Sequence, residues 1–149
     1  MPVEVIGIDH IHIAVRALGR AEAFYDRLME ILGFRKSTER LDGDPHVHYY
    51  NRHFGFTIRP ARIGSHDLDR LAPGLNHFCF RVDRNEDVDR AARALAAAGI
   101  ETTVPKPWPQ YDPDCYAFFL SDPDGIRLEI TNYRRRRRER SSNWNAQDS

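Results

Sequence analysis

The sequence has 149 residues, with 22 lysines and arginines against 22 aspartates and glutamates, which suffices for one well-filled domain and is too short for two. Six arginines and one glutamate give residues 134–140 a net charge of +5, so the rest of the chain carries −5. No apolar run approaches the roughly 20 residues of a membrane span, and the N-terminus lacks a secretory leader. We therefore expect a cytoplasmic protein with no membrane partner.

The chain contains two copies of one module. Residues 8–15 (IDHIHIAV) match residues 75–82 (LNHFCFRV) position by position, and both alternate apolar residues as half-buried strands do. An amphipathic helix follows each, stopped by Gly33 and by Gly99. Further strands are predicted at 34–38, 46–51, 54–60, 101–104, 115–120 and 126–132. The fold class is α+β: two βαβββ modules, about 5–62 and about 73–133, form a cupped mixed sheet around a cavity within one domain, residues 1–133.

Two segments fall outside the repeat. A loop at 105–113 contains four prolines together with Trp108 and Tyr111, and long aromatic loops often form walls of ligand sites. Both aromatic residues are substrate-binding candidates, although the loop could equally cover a sheet edge. Residues 134–149 are expected to be a disordered basic tail, because adjacent like charges repel. Nothing else favours specific nucleic-acid binding.

Equivalent positions of the repeat carry metal-binding residue types. His10 and His77 occupy the same place in the two modules, and Glu129 lies on the last strand of the second. Two imidazoles and a carboxylate form the ligand set of an open divalent site, with positions left for water and substrate. A lone strand histidine is more often a core residue, but the repeat symmetry favours a shared metal site.

These segments resemble the vicinal oxygen chelate superfamily, which includes glyoxalase I, fosfomycin-resistance proteins, methylmalonyl-CoA epimerase, extradiol dioxygenases and bleomycin-resistance proteins. The resemblance covers residues 5–133, and its most specific part is DPDGIRLEI at 122–130. It implies paired βαβββ modules of the glyoxalase/bleomycin-resistance/dihydroxybiphenyl dioxygenase-like fold. It also implies one divalent metal ion (Fe, Mn, Ni, Zn or Mg) at His10, His77 and Glu129, and a homodimer.

The family's fourth ligand position falls on Arg59, or on Thr57 in an alternative register. Neither residue type can replace the metal-bound glutamate of glyoxalase I, since arginine has no acceptor atom. This departure disfavours the glyoxalase I reaction. If Arg59 faces the cavity, it can bind a carboxylate or phosphonate of the substrate; otherwise it is a solvated charge at the rim.

Three further residues are candidates for acid–base catalysis. His12 shares a strand face with His10. His48 lies in the alternating series His46, His48 and Tyr50, which lines the cavity or faces water depending on a one-residue register. Tyr116 is expected to donate to a metal-bound oxyanion.

The sequence thus predicts a metal-dependent enzyme acting on a small-molecule substrate with vicinal oxygens. The reaction types left open are a lyase or isomerase step, an epoxide-opening transfer and ring cleavage by a dioxygenase. The alternative is a metal-free protein that sequesters a ligand, as the bleomycin-resistance proteins do.

Overall fold

The computed structural model describes residues 2–62 and 68–146. These divide into two compact units: residues 2–62 and 68 with 122–124, and residues 69–121 with 125–146. Each unit contains one strand–helix–three-strand module, so the predicted α+β class and the internal repeat are confirmed. Most of the predicted connector at 61–74 is described, but residues 63–67 lie outside the described residues.

The first unit is a four-stranded mixed sheet with one helix. Its elements are β1 (His10–Val15), α1 (Leu18–Ile31), β2 (Arg35–Leu41), β3 (Asp44–Tyr50) and β4 (Gly55–Pro60). The strand order is β1-β4-β3-β2, with β1 parallel to β4 and the other pairs antiparallel. Gly33 follows α1 with φ of 84°, a left-handed conformation that ends the helix without the strain of a side chain.

The second unit repeats this topology. Its elements are β5 (Phe78–Arg81), α2 (Asn85–Ala97), β6 (Lys106–Pro107), β7 (Tyr116–Ser121), β8 (Arg127–Thr131) and α3 (Arg135–Ser142). The strand order is β5-β8-β7-β6, with β5 parallel to β8. The core lies between the helix and one face of the sheet, where Val88, Leu95, Phe118, Leu128 and Ile130 are fully buried.

Two predicted elements differ from the structure. Residues 101–104 do not form a strand, because the Thr103 side chain accepts the Phe119 N–H at 2.8 Å in place of a backbone ladder; the edge strand is instead the two-residue β6. The basic tail is not disordered over residues 135–142, which form α3. Acidic partners distant in sequence explain this helix: Asp114 accepts the Arg135 N–H at 2.7 Å, and Asp83 pairs with Arg138.

A buried hydrogen bond joins α1 to the DPD segment at 122–124. The Tyr25 hydroxyl donates to Asp122 Oδ2 at 2.7 Å, and neither side chain has appreciable access to solvent. Burial and the adjacent Asp122 charge raise the pKa of Tyr25, so this hydroxyl stays a donor. Asp124 also accepts the Arg16 N–H at 2.8 Å just before α1. The motif that resembles the family thus stabilises the first unit.

Tyr25→Phe should lower the free energy of unfolding by roughly 1.5–3 kcal/mol, because a buried carboxylate loses a hydrogen-bond donor. Urea unfolding monitored by circular dichroism measures the change. Tyr50→Phe is the matched control, since Tyr50 is 41% exposed, and it should shift stability by about 0.5 kcal/mol or less. Equal effects of the two substitutions would contradict the assigned role of the Tyr25 hydroxyl.

Candidate functional site

In each unit, the polar face of the sheet opens onto a cavity. Side chains alternate along a strand, so residues paired in register share one face. In the first unit His12, Thr57 and His48 are aligned in this way, and in the second Cys79, Glu129 and Phe119 are aligned. The cavities have volumes of about 580 Å³ in the first unit and about 380 Å³ in the second.

The second cavity contains two of the three predicted metal ligands. His77 Nε2 lies 3.2 Å from Glu129 Oε2, and Glu129 is mostly buried, with 13% of its side chain exposed. The other lining residues are Asn76, Cys79, Tyr111, Cys115, Phe119, Arg127, Thr131 and Arg134. The structure therefore brings His77 and Glu129 together, as the repeat predicted for the second module.

A hydrogen bond on its other ring nitrogen sets the orientation of His77. His77 Nδ1 lies 2.6 Å from Asn76 Oδ1, and Asn76 Nδ2 donates to the Arg70 carbonyl at 2.9 Å. Since the amide oxygen is only an acceptor, His77 Nδ1 carries the proton and Nε2 presents a lone pair. Two acceptor atoms, His77 Nε2 and Glu129 Oε2, thus face each other, and a cation between them would satisfy both.

His10 has the same local arrangement in the first unit. It lines the first cavity, and its Nδ1 lies 2.8 Å from Asp9 Oδ2. A side-chain oxygen of the preceding residue therefore fixes Nδ1–H in both modules and leaves Nε2 available. Aligning Asp9-His10 with Asn76-His77 would have revealed these supporting residues from the sequence.

The two histidine candidates for acid–base catalysis line the first cavity. His48 bridges Thr57 Oγ1, at 2.7 Å from Nδ1, and Glu39 Oε1, at 2.8 Å from Nε2. The His12 ring lies edge-on to His46, with centroids 5.2 Å apart. Burial, followed by the nearby charge of His46, lowers the pKa of His12, which favours its neutral form.

Tyr116 is not at the site, and its prediction is wrong. Its hydroxyl donates to Asp89 on α2, so the side chain lies on the helix side of the sheet. The cavity side of β7 carries Phe119, which is paired with Glu129. The prediction failed because alternation along β7 places Tyr116 on the face opposite Phe119.

Arg59 is committed to another partner. Its Nη2 pairs with Asp44, and its Nε donates to the Pro60 carbonyl at 3.2 Å. Arg59 is absent from the lining of either cavity, and Asp44 occupies the guanidinium donors that the prediction reserved for a substrate anion. A hydrogen bond from Arg62, together with Arg59, holds the pKa of Asp44 below its usual value, so both pairs persist at neutral pH.

The aromatic loop contributes one residue to the second cavity. Tyr111 lines it, whereas Trp108 stacks behind Tyr111 with ring centroids 5.6 Å apart and is absent from the lining. Two lining residues that the sequence reasoning missed are Arg127 and Arg134. Arg127 precedes Glu129 by two positions on β8, so strand alternation alone would have placed it on the same face.

Within residues 2–62 and 68–146, no group of three histidine, cysteine or acidic side chains is arranged to hold a metal ion by itself. The same residues contain no helix with the length and apolar character of a membrane span. Each unit by itself thus supplies only part of the predicted ligand set, with His10 in the first and the His77–Glu129 pair in the second.

The family model of the Glyoxalase/Bleomycin resistance protein/Dioxygenase superfamily matches residues 7–130. The chain therefore belongs to this superfamily, as the motifs predicted. A search of curated proteins returned no match.

Solved structures share the fold. A glyoxylase/bleomycin resistance protein/dioxygenase domain from Frankia sp. EAN1pec is 25% identical, with a TM-score of 0.72 over 88% of this chain and 100% of the other. The fosfomycin resistance protein FosX from Listeria monocytogenes, in a complex with Mn(II) and 1S,2S-dihydroxypropylphosphonic acid, is 18% identical, with a TM-score of 0.66 over 91% and 98%. Lactoylglutathione lyase from Agrobacterium tumefaciens is 22% identical, with a TM-score of 0.61 over 89% and 96%.

The ring protons of His10 and His77 provide a direct test of this geometry. We expect both neutral rings to carry the proton on Nδ1, the minor form of free histidine, because side-chain oxygens accept it there. Nitrogen-15 NMR of metal-free protein above pH 8 distinguishes the two forms. Asn76→Ala should shift His77 toward Nε2–H and leave His10 unchanged, whereas an Nε2–H form of His77 in the unaltered protein contradicts the assignment.

Proposed function

We propose that this protein is a divalent-metal-dependent enzyme in which His77 and Glu129 bind the ion. The observation that carries the proposal is the 3.2 Å separation of His77 Nε2 and Glu129 Oε2, with Nδ1 of His77 held by Asn76. Adjacent ligand atoms at metal bonds of about 2.1 Å lie roughly 3 Å apart. Outer hydrogen bonds of this kind fix ligand orientation and raise ligand basicity.

We propose His10 as the third ligand, supported by its equivalent position in the repeat and by the same Nδ1 anchoring. Two imidazoles and one carboxylate suit a first-row transition metal better than a purely oxygen-ligated ion. The Mn(II) complex of the structurally similar FosX makes Mn(II) a reasonable first ion to test. When bound, such an ion polarises substrate oxygens as a Lewis acid.

The residues of the chain around this pair would orient the substrate and control protons. Tyr111 and Phe119 provide aromatic walls in the second unit. In the first unit His48, hydrogen-bonded to Glu39 and Thr57, can exchange a proton with a bound ligand through the Thr57 hydroxyl. Neither Arg59 nor Thr57 supplies a second metal-bound carboxylate, which favours epoxide-opening, lyase or dioxygenase chemistry over the glyoxalase I reaction.

We also propose a homodimer. The strands nearest the two candidate histidines, β1 and β5, are edge strands of their sheets, and unpaired edges favour pairing with another strand. β1 also exposes alternate residues. Light scattering after size exclusion should give twice the chain mass, and a monomer at micromolar concentration would contradict the dimer.

Metal analysis of protein purified without a histidine tag tests the function. We expect about one ion per chain, and His77→Ala or Glu129→Gln should weaken Mn(II) or Zn(II) binding about 100-fold, because each removes a ligand atom. Glu101→Gln, at an exposed position of the same unit, is the matched control and should bind as the unaltered protein does. Titration calorimetry measures affinity, and thermal unfolding verifies that each variant folds.

Two results would contradict the proposal. One is metal-free protein with no affinity for any of the five ions; the other is unchanged binding in both ligand variants. Either would favour the ligand-sequestering alternative, in which the same cavities bind an organic molecule without an ion.

A further inference from the structure

The second cavity has an excess of positive charge. Three of its lining residues are charged: Arg127, Arg134 and Glu129. Two guanidinium groups against one carboxylate leave the lining with a net charge of +1, and a bound divalent ion would raise this to +3. A concave site of one sign concentrates ligands of the opposite sign.

Arg127 is held beside Glu129 without a carboxylate partner among the described residues. Its guanidinium carbon lies 4.0 Å from the centre of the Phe119 ring, and Phe119 is paired in register with Glu129. Stacking of this kind occupies the flat face of the guanidinium and leaves its N–H groups, which lie in the plane, able to donate. The ring therefore positions a cation at the cavity wall.

Arg134 is only loosely paired. Its Nη1 lies 3.8 Å from Asp112 Oδ2, and only 19% of its side chain is exposed, so the pair is beyond hydrogen-bonding distance. Asp112 Oδ1 is buried and has no hydrogen-bond partner. The guanidinium donors of Arg134 are thus not saturated by this carboxylate, although the side chain is largely withdrawn from water.

We infer that Arg127 and Arg134 bind the acidic group of the substrate, so the substrate is a small oxyacid anion with a hydroxyl or carbonyl oxygen next to its carboxylate or phosphonate. This inference rests on the proposed function, since the His77–Glu129 pair would hold the ion that chelates the neighbouring oxygens. Arginine is suited to such groups because its N–H donors match two acid oxygens at once. Neutral diols and neutral epoxides would leave both cations uncompensated in the cavity.

The test compares ligands that differ in charge and little in size. Glycolate and hydroxymethylphosphonate carry the acid group beside a hydroxyl, whereas glycolamide replaces the carboxylate with a neutral amide. Binding to the metal-free full-length protein is followed by two-dimensional NMR, with the Asn76 side-chain amide as the reporter in the cavity. We expect both acids to bind at least about tenfold more tightly than glycolamide, and their ratio shows which acid group the arginines prefer.

Arg127→Gln and Arg134→Gln should each weaken binding of the preferred acid about tenfold or more, and Arg127→Lys should restore part of the loss. Arg93→Gln, on the exposed side of α2, is the matched control and should bind as the unaltered protein does. Mn(II) titration of the same variants separates the two proposals, since neither arginine is a metal ligand.

Equal affinity for glycolamide and glycolate overturns the inference, as does acid binding that survives both arginine substitutions. Normal Mn(II) binding together with either result leaves the metal-dependent function standing and removes only the acidic substrate. Arginine-dependent acid binding in a protein that binds no metal supports the acid site and refutes the metal-dependent function.

Discussion

Alternation of side chains along each strand is the constraint on which the rest of the molecule depends. It gives each sheet an apolar face, covered by α1 or α2, and a polar face free to carry chemistry. In the second unit this rule places Arg127, Glu129 and Thr131 together on one side of β8, while Leu128 and Ile130 are fully buried on the other. A shift of one residue in β8 would exchange the site for the core.

The polar residues of the second cavity act as a connected set. Asn76 fixes the proton of His77, His77 presents a lone pair to Glu129, and Arg127 beside them balances the carboxylate charge. Burial, reinforced by Glu129, raises the pKa of the Cys79 thiol, so this cysteine stays protonated and does not compete as a thiolate ligand. The site therefore favours a hard or borderline ion and an anionic ligand.

Local pattern and repeat symmetry predicted much of this architecture. The match of residues 8–15 with 75–82 identified His10 and His77 as equivalent positions, and the glycines after each helix located the helix ends correctly. Tyr116 was placed on the wrong face because a single strand contains no information on which side the partner helix packs. The helix at 135–142 was missed because Asp83 and Asp114, which compensate its charge, are remote in sequence. Arg59 was assigned to a ligand for the same reason, since its pairing with Asp44 depends on how β3 and β4 bring the two side chains together.

The central claim is that His77 and Glu129 are ligands of one ion, and crystals grown with Mn(II) test it most directly through anomalous scattering. The account predicts one peak about 2.2 Å from both His77 Nε2 and Glu129 Oε2, with a His10 imidazole, from the same chain or a second copy, completing the set. A protein that binds Mn(II) elsewhere, with His77 Nε2 remaining hydrogen-bonded to Glu129, would contradict it.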